Sequence, residues 1–181
     1  MGHLNIPLML PDDGTIPLAY RIATRVQGEI DIGNRIKILH KAHDQYVQLF
    51  LQNGENDPGI VFNIALLEVE LGVCLSYQGD NSAATKSLAN ASNLCLALRQ
   101  KWTQGESFGL AALVDAAASR ALGDVDRMLI MADLAMGHLP QGSDYFALAR
   151  SIHEYATSPP PNRDMTPGPE KVFKFTWSQE R

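Results

Sequence analysis

Apolar residues recur at helical spacing along most of this chain, from residue 16 to residue 157. In residues 30–51, for example, most of them follow one another three or four positions apart and so share one face of an α-helix. Glycine is sparse inside such segments, proline is nearly absent, and no alternating strand pattern precedes the C-terminal tail. We therefore predict one all-α domain over residues 16–157, with about seven helices in antiparallel hairpins.

Turn and capping residues set the expected bounds of the individual helices. Asn53-Gly54 is typical of a helix C-terminus, and Asn81-Ser82 is typical of a helix N-terminus. From these signals we expect helices at residues 30–51, 60–77, 81–98, 102–122, 124–139 and 145–155.

The two ends of the chain differ in composition from the helical region. Residues 1–15 contain turn residues but neither a secretion signal nor a myristoylation pattern, so we expect an irregular lead-in. Residues 158–181 begin with a proline-rich stretch that excludes a helix and end with aromatic residues at alternating positions. We expect this tail either to be disordered or to dock on this domain or a partner through Phe173, Phe175 and Trp177.

Charge and composition argue against several classes of protein. The 181 residues include 15 basic and 20 acidic side chains, and the resulting net charge of −5 argues against direct nucleic-acid binding and against attraction to an anionic membrane. Two cysteines cannot form a disulfide-rich scaffold, and no apolar run approaches the ~20 residues that span a bilayer. We therefore expect a cytoplasmic protein with reduced thiols.

Three glycine–acid pairs separate helix partners and indicate an internal repeat. They are Gly28-Glu29, Gly79-Asp80 and Gly123-Asp124, spaced 51 and 44 residues apart. Glycine accepts the left-handed backbone of a tight reversal, and the acid then lies at the positive N-terminus of the next helix. We therefore place corners between neighbouring helices at these pairs.

Residues 71–92 resemble the consensus of the tetratricopeptide (TPR) repeat. The matching positions are Leu71 and Gly72 in the first helix, and Ala84, Leu88 and Ala91 in the second. The unit around Gly123 matches less closely, since Asp115 stands where the family has leucine. The resemblance is clear over residues 60–99 and loose over residues 16–140.

The resemblance implies helical hairpins stacked into a short right-handed superhelix, with the last helix as a cap. Spacings of 44 and 51 residues, instead of the family's 34, imply longer helices or loops, as in degenerate TPR-like arrays. The first helix of each pair would line a concave surface that binds protein or peptide segments.

The family's groove positions fall on a mostly apolar set of residues. They are Val69, Val73, Ser76 and Tyr77 in one unit, and Gln104, Leu113, Ala117 and Arg120 in the next. Val73 and Ala117 stand where chaperone-binding members carry asparagine, which argues against a carboxylate clamp. An apolar groove would suit an amphipathic helix or an aromatic-bearing strand, including the chain's own tail, whereas the alternative is that these side chains pack between repeats.

The sequence contains no recognisable catalytic or metal-binding pattern. His40 and His43 share a helix face but lack further ligands nearby, so we expect them to be packing residues. Glu68 and Glu70 are two positions apart, so on a helix they diverge and cannot form a catalytic acid–base pair. We therefore predict no catalytic residue, no metal and no cofactor.

Three functional hypotheses follow from the sequence. The first is a protein- or peptide-binding helical repeat module, a scaffold or adaptor within a larger assembly or regulator. The second is a peptide-sensing domain of a transcription regulator, and the third and least favoured is an enzyme with a helical-bundle site. Apolar helices near both ends would also allow a homodimer through an uncapped face.

Overall fold

The computed structural model describes residues 31–53 and 57–158, and all regular structure within these ranges is α-helical. The six helices are α1 (Ile32–Asn53), α2 (Pro58–Gln78), α3 (Asn81–Lys101), α4 (Glu106–Leu122), α5 (Val125–His138) and α6 (Asp144–Thr157). The all-α prediction is therefore confirmed for the described residues. The lead-in, Gly28-Glu29 and the aromatic tail lie outside the described residues.

Left-handed glycines form the corners of two hairpins, as predicted. Gly79 ends α2 with φ 88°, and Gly123 ends α4 with φ 75°. Directly after each glycine, an aspartate begins the next helix: the side chains of Asp80 and Asp124 accept hydrogen bonds from the backbone N–H groups of Ala83 and Arg127. The predicted N-cap pair Asn81-Ser82 is therefore wrong by one residue, because the residue that caps α3 is Asp80.

The start of α4 also differs from the prediction. Trp102 ends α3, and residues 102–105 connect the two helices, so α4 begins at Glu106 and not at residue 102. At the start of α2 the side chain of Asp57 accepts hydrogen bonds from Gly59 and Ile60, and Pro58 occupies the first helical position.

The helices pack in chain order around α4. Each helix contacts the next, and α4 also contacts α2 and α6. Alanine is frequent in α4, and residues 111–119 are all buried, because small side chains let the neighbouring helices approach closely. The largest apolar cluster runs from α2 to α6, and smaller clusters join α1 to α2.

The contact between α2 and α3 is tight at Gly72. A Cβ atom added there would lie 2.6 Å from Cγ of Leu88 and 3.2 Å from the carbonyl oxygen of Ala84. Only glycine therefore fits this position while Leu88 keeps its present place.

The composition of α2 corrects the expectation that no apolar run approaches the length that spans a bilayer. Among the described helices, α2 alone is long and apolar enough to cross a membrane by length and composition, although it carries Glu68 and Glu70. In the structure 83% of its most apolar stretch is buried, which is also typical of the central helix of a packed domain.

Candidate functional site

An apolar groove lies where α1 and α3 both pack on α2, and we call it the α1–α3 groove. Its volume is about 640 Å³. The apolar lining comes from Val47, Phe50 and Leu51 of α1, Pro58, Val61 and Ile64 of α2, and Leu94, Ala97 and Leu98 of α3. Because α2 lies between the other two helices, it forms the floor and they form the walls.

A buried carboxylate closes one end of the groove. Oε1 of Glu68 lies 3.3 Å from Nε2 of His43 on α1 and accepts a 3.3 Å hydrogen bond from the Asn90 amide on α3. Its other oxygen accepts a hydrogen bond from the hydroxyl of Ser87. Glu68 thereby ties three helices together at this end.

These contacts favour the charged forms of His43 and Glu68. The hydrogen bond to Glu68 raises the pKa of His43 above its ordinary value and outweighs the opposing effect of burial. Burial alone would raise the pKa of Glu68, but hydrogen bonds from His43 and Ser87 outweigh it and leave that pKa below its ordinary value.

The opposite end of the groove is more exposed. It lies where α1 and α3 end and α2 begins, and it is marked by Leu51, Pro58 and Lys101. Leu51 is 67% exposed and places an apolar side chain at this open end. From Pro58 to Glu68 the floor extends ten residues along α2, which is about 15 Å at the helical rise.

The α3 wall adds polar groups to this apolar surface. Asn90 and Asn93 lie one helical turn apart on the rim and are exposed, as is Ala97 beyond them. A side-chain amide both donates and accepts hydrogen bonds, so it can pair with the backbone of a bound chain. The groove can therefore receive apolar side chains on its floor and peptide groups at its rim.

Three nucleophilic side chains of α2 and α3 are buried: Ser87, Cys74 and Cys95. The Ser87 hydroxyl donates to the carboxylate of Glu68 and not to an imidazole. Burial raises the pKa of the Cys74 thiol to about 11, and burial likewise raises that of Cys95. Within residues 31–53 and 57–158, no three His, Cys, Asp or Glu side chains lie together as metal ligands.

The residues predicted to line a concave groove lie elsewhere in the molecule. Val69, Val73, Leu113 and Ala117 are all buried in the largest apolar cluster. Because α2 and α4 pack against each other, these four side chains face neighbouring helices and offer no surface to a partner in this structure. This is the alternative that the sequence left open for them.

The other four predicted positions keep some exposed surface. Ser76 and Gln104 are exposed, whereas Tyr77 and Arg120 are half-buried. The guanidinium of Arg120 lies 4.3 Å from the centre of the Tyr155 ring on α6. These four residues do not line the α1–α3 groove. The three predicted docking residues of the tail, Phe173, Phe175 and Trp177, lie outside the described residues.

Sequence reasoning missed the α1–α3 groove because its lining has the same helical spacing as a core stripe. Phe50 and Leu94 look like ordinary core positions in a periodic sequence. A signal did exist in the pairing of Asn90 and Asn93 beside Leu94, since polar amides at helical spacing next to an apolar stripe mark its edge.

No protein-family model, no curated protein and no solved structure matches this chain.

Proposed function

We propose that this chain is a protein- or peptide-binding module of TPR-like helical repeats, acting as a scaffold or adaptor, and that the α1–α3 groove holds the bound segment. The observation that carries the proposal is the groove itself: apolar along its floor, bounded at one end by Glu68 and edged by the amides of Asn90 and Asn93. This combination suits a short segment with apolar side chains.

Two features of the packing support the repeat interpretation. The corners at Gly79-Asp80 and Gly123-Asp124 have the same geometry and lie 44 residues apart. The first helix of one hairpin, α2, contacts the first helix of the next, α4, and α4 contacts α6 in the same way. Such contacts are typical of stacked hairpins, which bury their faces only against their neighbours.

The dimensions of the groove favour an extended segment. A floor of about 15 Å matches four or five residues at the rise of a strand. In an extended chain alternate side chains point to the same side, so two or three apolar side chains would reach the floor while backbone groups meet Asn90 and Asn93. The favoured ligand is thus a strand-like segment with apolar or aromatic residues at every second position.

Selection from a random-peptide phage library on the full chain tests this proposal. We expect enriched peptides to carry alternating apolar residues and to bind in solution when synthesised with a fluorescent label. Ala97→Arg should weaken that binding about tenfold or more, because it places a charged side chain over the apolar floor. Ala97 is exposed, so the substitution is expected to leave the fold intact.

A matched control lies on the same helix. Ala89 is also exposed but does not line the groove, so Ala89→Arg adds the same charge to α3 without reaching the bound segment. Equal affinity of the parent chain and Ala89→Arg, with weak binding to Ala97→Arg, supports the proposal. If no peptide is enriched, or if all three chains bind equally, the groove is not the binding site.

A further inference from the structure

We propose that residues 171–177 of this same chain, which we call the aromatic segment, occupy the α1–α3 groove and compete with external ligands. This inference rests on the proposed function, since it requires that the groove accept an extended apolar segment. It adds that the module carries its own competitor, so that a partner must displace the aromatic segment before it binds.

The pattern of the aromatic segment fits the groove. Phe173, Phe175 and Trp177 alternate with Lys174 and Thr176, so in an extended chain the three rings share one side and the polar side chains share the other. From Phe173 to Trp177 such a chain spans about 13 Å, compared with about 15 Å for the groove floor. The three rings therefore match the groove in number and in length.

The connecting chain is long enough to reach the groove. Fourteen residues separate Ser158, just after α6, from Phe173, and proline-rich backbone of that length extends about 43 Å. The groove is reached from α6 in two helix-to-helix steps, α6 to α4 and α4 to α2, which amount to about 20 Å. Movement along the helix axes, perpendicular to these steps, is about another 20 Å, so the two displacements combine to a straight-line distance of about 30 Å.

Tethering favours the chain's own segment over one from a second copy. A segment tethered to the same chain through about fourteen residues has an effective concentration of about 1 mM, so even an intrinsic Kd of about 0.1 mM would keep the groove occupied about nine-tenths of the time. Removing the segment would then strengthen the binding of an external peptide about tenfold.

The first experiment follows Trp177 by fluorescence. The chain has two tryptophans, and Trp102→Phe in the full chain leaves Trp177 as the single reporter. We expect its emission to be blue-shifted and protected from acrylamide, and Ala97→Arg should restore the emission of a solvent-exposed indole. Ala89→Arg, the control outside the groove, should leave the emission of Trp177 unchanged.

The second experiment keeps both tryptophans and measures competition. The chain with Phe173→Ala, Phe175→Ala and Trp177→Ala should bind a library-selected labelled peptide about tenfold more tightly than the parent. Lys174→Ala with Thr176→Ala changes the opposite side of the same segment and should leave the affinity close to that of the parent.

Distinct results would overturn this inference and the proposed function. If Trp177 is equally exposed in the parent and in Ala97→Arg, or if the triple alanine chain binds peptide no more tightly, the aromatic segment does not occupy the groove. Peptide binding that still responds to Ala97→Arg would leave the proposed function intact in that case. Protection of Trp177 that grows with protein concentration would show docking on a second copy and would also overturn the intramolecular proposal.

Discussion

The carboxylate of Asp115 forms a two-pronged pair with Arg127 in the interior of the α3–α4–α5 contact. Nε of Arg127 donates to Oδ1 and Nη2 donates to Oδ2, and the donor–acceptor distance is 3.0 Å in both hydrogen bonds. Asp115 has no exposed surface, and it also accepts a 2.7 Å hydrogen bond from the Ser92 hydroxyl. Arg99 of α3 forms a second ion pair with Oδ2 at 2.8 Å, so one carboxylate joins three helices.

Removal of this carboxylate should destabilise the fold strongly. In Asp115→Ala the guanidinium of Arg99, only 8% exposed, would lose its partner, and breaking a buried pair in this way costs about 3–5 kcal/mol. Urea unfolding followed by circular dichroism measures the loss. Glu154→Ala, which breaks the exposed pair with Arg150, should cost at most about 0.5 kcal/mol, and equal losses in the two variants would contradict the assigned role.

Substitution of Gly72 by alanine tests the close contact between Gly72 and Leu88. Gly72→Ala places a Cβ atom against Cγ of Leu88, and such overpacking costs about 1–3 kcal/mol, more than the gain of about 1 kcal/mol in helix propensity. In a Leu88→Ala background the same change should destabilise much less, because only the carbonyl oxygen of Ala84, 3.2 Å from the added Cβ atom, still crowds it. A double-mutant cycle of thermal unfolding measures this difference, and additive effects would argue against direct contact.

The sequence predicted the corners of the fold better than its interior. The corners at Gly79 and Gly123 are predictable because a glycine followed by an acidic residue is a local signal that needs no tertiary information. The predicted helix bounds are close, yet α4 begins later than expected, because Gly105 with φ 81° directly precedes its first residue, Glu106.

The polar interior could not be predicted from spacing alone. Asp115 departs from the leucine of the TPR consensus, but its partners Arg99 and Arg127 come from different helices, and only tertiary packing brings them together. Helix geometry alone predicts that Glu68 and Glu70 diverge, and the two carboxylates contact different residues of α1: Glu68 lies beside His43, and Glu70 lies beside Arg35.

Two of the described glycines without close neighbours, Gly79 and Gly137, should respond in opposite directions to alanine. A Cβ atom on Gly79 would meet nothing within 4 Å, so Gly79→Ala should lose only the cost of a left-handed residue, about 1–2 kcal/mol. Gly137 also has open space but lies within α5, so Gly137→Ala should gain about 0.5–1 kcal/mol. Differential scanning calorimetry compares the two, and destabilisation by Gly137→Ala would show that α5 is distorted there.

The carboxyl of Glu70 is buried on α2 near the start of α1. Its nearest cation is the guanidinium of Arg35, with Nη2 3.5 Å from Oε2, while Oε1 has no hydrogen-bond partner. Burial raises the pKa of Glu70 from 4.5 to about 8 and outweighs the opposing effect of Arg35. The folded chain therefore keeps a proton at neutral pH that the unfolded chain releases.

Because of this raised pKa, the contribution of Glu70 to stability is greatest below pH 4.5 and is lost as the pH rises toward 8. Glu70→Gln carries no proton to release, so at pH 8 it should be more stable than the parent by a few kcal/mol, with little difference at pH 4.5. Urea unfolding across this range measures the difference, from which the titration of His43 cancels because both chains share it. A constant difference between the two chains at every pH would mean that Glu70 is already ionised in the fold.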